Sequence, residues 1–174
     1  YGDSIGALSL LADLSKLEVG MIAHRINEIY EMEIIPNNLI PTVHESYIAW
    51  EFAPSAELSK DQFDPMKWGY HDYLIPDILD RGPVSILEAY RDKTHTNWSP
   101  YLKYYGLLDP VAFIKDLEWV VRTLKLATFK RVQSPPVIKV SKRSFGFDYL
   151  EYQGPNIYSD AYIELKNELL EGLS

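Results

Sequence analysis

A chain of 174 residues, 47% apolar and 24% charged, has ordinary globular composition and is long enough to bury a core as one domain without covalent staples. It has no cysteine, which excludes disulfides, thiolate metal sites and a cysteine nucleophile, and no run of about 18 apolar residues, which excludes a membrane-spanning helix. The formal net charge of −8 points to a soluble chain that is not, as a whole, a nucleic-acid binder.

The first residue is Tyr1 rather than methionine, so the chain reads as processed, trimmed or a fragment, with sequence upstream of it. Residues 5–14 form an apolar run, but no basic region precedes it, so it does not read as a signal peptide. Asp3 or Ser4 is expected to cap a helix over 4–32. Leu10, Leu14, Leu17, Met21, Ile22, Ile26 and Ile29 recur there at helical spacing, and Gly20 weakens the middle. Thr42-Val43-His44-Glu45 fits a capping box and predicts a helix over 43–52.

Asp64-Pro65, Ser99-Pro100 and Asp109-Pro110 each place a capping side chain before a proline that loses nothing at a first helical position. They predict helices over 65–80, 100–105 and 110–132. Gly82-Pro83 ends one helix and starts the next over 83–93, Pro76 is expected to kink or split the third helix, and Gly106 reads as a left-handed cap. After Pro135-Pro136 the period changes. Ile138 and Val140 alternate with Lys139 and Ser141, and Phe145, Phe147 and Tyr149 alternate after Lys142-Arg143-Ser144. That pattern predicts a β-hairpin over 137–152. Ser159 then caps a last helix over 160–171. The expected fold is mainly α: one domain over 1–174, with a helical body (3–132), a late hairpin and a C-terminal helix.

Several stretches carry catalytic patterns. Gly2-Asp3-Ser4-Ile5-Gly6 is a G-x-S-x-G sequence, in which a sharp turn can expose a nucleophilic hydroxyl beside backbone N–H groups. Its first four residues resemble the opening block of the GDSL-type (SGNH) hydrolases. The late Asp92-Lys93-Thr94-His95 is similar to that family's D-x-x-H block. The resemblance implies Ser4 as nucleophile, His95 as base and Asp92 as its orienting carboxylate. The chain departs from the family in lacking a strand before Ser4, recognisable intermediate Gly and Asn blocks, and a strand-rich interior. Asp3-Ser4 therefore reads as a helix cap.

His71-Asp72 resembles the HD pair of metal-dependent phosphohydrolases, a helical superfamily. The resemblance implies a divalent-metal site completed by His44 and by Asp109 or Asp116. The aromatic context Trp68-Gly69-Tyr70-His71-Asp72-Tyr73 departs from the apolar helix usual there. His24 and Glu28 lie one turn apart and read as a surface pair. No P-loop, dinucleotide fingerprint, EF-hand or H-E-x-x-H motif is present, and no cofactor is expected.

Charge is unevenly distributed. Between Arg122 and Arg143 lie seven basic residues (Arg122, Lys125, Lys130, Arg131, Lys139, Lys142, Arg143) and no acidic one, while the remainder holds 10 basic against 25 acidic residues. Interleaved with Phe145 and Phe147, this stretch suits either a short nucleic-acid strand or an acidic face on another protein subunit. The 13 tyrosines and 4 tryptophans suit half-buried subunit interfaces. The leading expectation is a non-enzymatic structural or adaptor subunit, such as a virion component, docking through the basic, aromatic segment inside a cell, particle or organelle. The alternatives are a metal-dependent HD-type phosphohydrolase or a GDSL-like serine hydrolase, and a nucleic-acid-binding accessory protein; no membrane is involved.

Overall fold

The computed structural model describes residues 8–52, 65–127, 135–141 and 158–172. Among them are four α-helices, which we number α1 (Lys16–Tyr30), α2 (Tyr70–Arg91), α3 (Pro110–Leu126) and α4 (Asp160–Glu171). A two-stranded antiparallel sheet, β1 (Thr42–Val43) and β2 (Ile48–Ala49), lies between α1 and α2. The mainly helical expectation holds. None of these helices is long and apolar enough to cross a membrane.

The core lies among α2, α3 and α4. From α2 come Leu74, Ile78, Ile86 and Leu87, from α3 Phe113, Leu117 and Val120, and from α4 Tyr162 and Leu165. The turn between α2 and α3 closes one end with buried Trp98, Tyr101 and Leu107. The Trp98 indole N–H donates to Asp77 at 2.8 Å, so the ring is buried with its polar handle satisfied. Phe113 stacks on Tyr90 with ring centroids 3.9 Å apart.

Local chemistry sets the helix ends. Asp109 accepts from the amides of Val111 and Ala112 at the start of α3, with Pro110 in the first helical position. Ser159 caps α4 through the Tyr162 amide, at the predicted bounds. Gly106 has the expected positive φ of 68°. The interruption of α2 falls at Gly82 (φ 79°, ψ 164°), while helical geometry runs through Pro76. That glycine conformation is essentially closed to other residues.

Several expectations are corrected: the helix expected from Pro65 begins at Tyr70, and the helix expected over 100–105 is a short 3-10 turn at Ser99–Tyr101. The first helix begins at Lys16, not at residue 4. Ser15 and Glu18 form a reciprocal capping box, Glu18 N–H donating to Ser15 Oγ (3.2 Å) and Ser15 N–H to Glu18 Oε2 (2.7 Å). The helix expected over 43–52 is instead the β1–β2 hairpin, with Thr42 opposite Ala49 and Val43 opposite Ile48. β-Branched Val43 and Ile48 pair across the strands, and the His44 amide donates to the Tyr47 carbonyl at 3.0 Å to close the turn. The C-terminal hairpin is not borne out: the strands among the described residues lie at 42–49. Residues 135–141 belong to no helix or named strand, and Val137 forms an isolated parallel bridge with Ser9; residues 142–152 lie outside the described residues.

Candidate functional site

Among the described residues the buried polar or charged ones are Asp13, His71 and Asp116; Asp13 organises one region of the chain, and His71 and Asp116 together organise another. Asp13 sits in the segment that leads into α1. Its Oδ2 accepts from the amides of Val140 (2.7 Å) and Ser141 (2.8 Å), and the Ser141 hydroxyl adds a contact of 3.0 Å. Two consecutive amides converging on one carboxylate form a charge-assisted clasp. Ser9 reinforces it from the neighbouring strand segment, donating to Pro136 O (2.8 Å) and accepting from the Ile138 amide (3.1 Å). The clasp fixes the start of α1 to the stretch that carries Lys139.

Asp116 joins α3 to the chain entering α2. One oxygen faces His71 Nε2 at 3.0 Å and the other is ion-paired with Lys67. His71 Nδ1 accepts from the Lys67 amide at 3.0 Å, so Nε2 carries the ring proton and donates it to Asp116. The ring is fully buried and stacks on Trp119 at 5.5 Å. Burial pushes the Asp116 carboxyl up, but the hydrogen bonds from His71 and Lys67, with the Lys67 charge, outweigh it and hold it below the usual carboxylate range. The adjacent Tyr70 phenol is pushed well above its usual range by burial and then by the charge of Asp116.

This network brings together two of the residues implied by the HD resemblance, His71 and Asp116, as partners of each other, with both imidazole nitrogens engaged. Asp72 turns elsewhere. Its oxygens accept from the Gly69 amide (2.8 Å) at the start of α2 and from the Leu17 amide (3.4 Å) of α1. His44 stacks on Tyr47 in the hairpin turn, ring centroids 4.1 Å apart. Asp109 caps α3. Among the described residues no group of three or more His, Asp or Glu gathers as a metal ion needs. His24 and Glu28 form the surface pair read from their spacing, at 3.4 Å and shared with Arg25.

Ser4 lies outside the described residues. His95 is exposed after α2, and Asp92 is bound to Arg91 Nε at 2.7 Å, which lowers its carboxyl. Of the basic stretch, Arg122, Lys125 and Lys139 are exposed; Lys130, Arg131, Lys142, Arg143, Phe145 and Phe147 lie outside the described residues. Sequence reading missed Asp13 and Lys67. Asp13 had a readable signal, a lone acid within the apolar run 5–14, where a buried charge needs donors. Lys67 had none, because its partner lies 49 positions away.

Beside α1, a groove of about 390 Å³ is lined by Met21, His24, Asn37, Ile40, Pro41 and Val43, among others. Gly20 lets Pro41 approach α1 closely: a Cβ there would meet the Pro41 ring at 2.5 Å.

No family model and no solved structure matches the chain. Among curated proteins it is similar to a glutamine-dependent NAD(+) synthetase of Xanthomonas campestris pv. campestris (strain 8004), with 32% identity over 147 residues, which are 84% of this chain and 22% of that protein. The chain therefore spans about a fifth of the length of the curated relative it matches.

Proposed function

We propose that this chain is a helical section of a glutamine-dependent NAD(+) synthetase and contributes to NAD(+) formation as part of that larger protein. The observation that carries this reading is the similarity over 84% of the chain to about a fifth of the Xanthomonas synthetase. The structure supports a part over a self-contained whole: α2, α3 and α4 cover one another, whereas much apolar surface of α1 and its flanking segments stays exposed. In this reading the Asp13 clasp and the Asp116 network hold surface segments in place for the rest of the protein.

The test is replacement. Exchanging the matched stretch of the Xanthomonas synthetase for this chain retains glutamine-dependent NAD(+) formation, whereas an unrelated helical domain of equal length abolishes it. A folded chimaera that makes no NAD(+) would sink the reading.

A second reading is an adaptor subunit that docks on an acidic partner face through its basic stretch. The exposure of Arg122, Lys125 and Lys139 on two separate segments favours it. Lys142→Glu with Arg143→Glu then abolishes assembly and leaves the melting temperature nearly unchanged; unaltered assembly counts against it.

A further inference from the structure

α1 carries an apolar stripe that the described residues cover only in part, leaving Val19, Ala23 and Ile26 half-buried and Ile22, Ile29 and Tyr30 exposed. Leu17 and Gly20 are its buried residues. Val19, Ile22, Ala23, Ile26, Ile29 and Tyr30 recur at intervals of three and four on the side away from them. Ile22 is 42% exposed, Ile29 61% and Tyr30 63%. Glu18, Arg25 and Glu28 fall beside the stripe rather than within it, by the same periodicity. At the end of the helix, Asn27 fastens the following turn back onto α1. Its Nδ2 donates to Ile35 O (2.7 Å), and its Oδ1 accepts from the amides of Ile34 (3.0 Å) and Ile35 (2.9 Å). That turn adds Met32 and Ile34 to the exposed apolar surface. Contiguous apolar surface on this scale marks an interaction site.

We infer that this stripe packs against an aliphatic, uncharged face in the part of the same synthetase that lies outside this chain. The inference rests on the reading of the chain as a section of such a protein. Three observations select that occupant. About four-fifths of the relative lies beyond the matched stretch, so the covering surface is available in the same molecule. The stripe carries no charge, which fits an aliphatic face and disfavours an acidic or basic partner. Exposed large apolar residues are most concentrated on α1 and its flanks, with Leu8, Leu10 and Leu11 before it and Met32, Ile34 and Leu39 after it, while α2, α3 and α4 expose Tyr73, Val111, Leu126 and Ile163; the covering surface therefore approaches from the α1 side.

The test compares Ile22→Glu with Ile29→Glu, as a double variant, in two settings. In this chain alone, the substitutions fall on exposed positions and leave the melting temperature nearly unchanged. In the Xanthomonas synthetase carrying this chain in place of its matched stretch, they lower it by about 4 °C or more, as loss of a buried interface requires. An unchanged melting temperature in a chimaera that makes NAD(+) overturns the docking and leaves the functional reading intact. A drop in a chimaera that makes no NAD(+) keeps the docking and removes that reading. An equal drop in the chain alone overturns the docking, because the stripe then belongs to the chain's own core. So does a self-dimer in analytical ultracentrifugation that the variant dissolves, because a second copy then covers the stripe. If the chimaera does not accumulate, the chain is co-expressed with the synthetase lacking that stretch. Co-purification that the double variant loses supports the docking, and failure of the unsubstituted chain to co-purify overturns it.

Discussion

The Ser141 hydroxyl lies 3.0 Å from each carboxylate oxygen of Asp13, and the Ser141 amide donates to one of them at 2.8 Å. With the Val140 amide this gives the carboxylate two backbone donors and a hydroxyl. Asp13→Ala leaves those donors without an acceptor and costs about 1–3 kcal/mol. Asp13→Asn keeps an acceptor without the charge and costs less. Hydrogen exchange checks this directly: the Val140 and Ser141 amides lose protection in Asp13→Ala, while amides in the middle of α3 keep theirs.

Asp116 gives an acid-side prediction. Its carboxyl is lower in the folded protein than the usual value, the His71 and Lys67 hydrogen bonds outweighing burial. The unfolded chain therefore binds the proton more tightly, and the stabilisation is fully present above the ordinary carboxylate range and lost as pH falls through the lowered value. The wild-type melting temperature should fall on acidification below about pH 4, and Asp116→Asn should start lower and change less over that window. At neutral pH Asp116→Ala costs about 3 kcal/mol, because it strands buried His71 and partly buried Lys67.

The tyrosines give the opposite sign at high pH. Burial, the largest cause, together with nearby negative charge, pushes the Tyr90 and Tyr105 phenols up to about 12 and also raises Tyr70 and Tyr162. The folded state keeps protons that the unfolded chain releases near pH 10, so stability is present below that value and is lost as pH rises toward the folded ones. Ultraviolet titration should show fewer ionised phenols in the folded protein than in the urea-unfolded chain at about pH 11, followed by a cooperative rise on unfolding. Matching curves for the two states would refute this.

Two glycines fail for different reasons. Gly20→Ala drives a Cβ to 2.5 Å from the rigid Pro41 ring and costs about 1–3 kcal/mol by overpacking. At Gly82 nothing lies within 4 Å of a new Cβ, so Gly82→Ala pays a backbone penalty alone, about 1–3 kcal/mol. D-alanine introduced at each position by peptide ligation separates the causes: it should restore stability at position 82, where positive φ suits a D-residue. Chemical denaturation of the variants measures both effects.

The helical core was legible where capping chemistry sits next to a strong periodic stripe, as at Asp109-Pro110 and Ser159, because those signals are local. The true start of α1 was also written locally, as Ser15-Lys16-Leu17-Glu18, but the apolar run before it imitates a continuing helix. Residues 42–49 misled because Thr42 and Glu45 have capping-box spacing, while Val43, Tyr47 and Ile48 favour strands. Asp13 with Ser141, and Lys67 with Asp116, were beyond local reading: each pair is created by the fold, and neither residue type announces its partner. The apolar spacing of Ile22, Ile26 and Ile29 was visible, but periodicity does not say whether a stripe meets this chain's core or another surface.

The break at Gly82 has a consequence for how the chain folds. It divides α2 into residues 70–81 and 83–91, and neither arm exceeds the about 12–15 residues below which an isolated helix is marginal in water. Neither can serve as a ready-made seed. The first arm is held through His71 to Asp116 of α3, and the second through Arg91 to Glu168 of α4. Helix formation in α2 is thereby made conditional on long-range docking, so secondary and tertiary structure in this region must be gained, and lost, in a single concerted step.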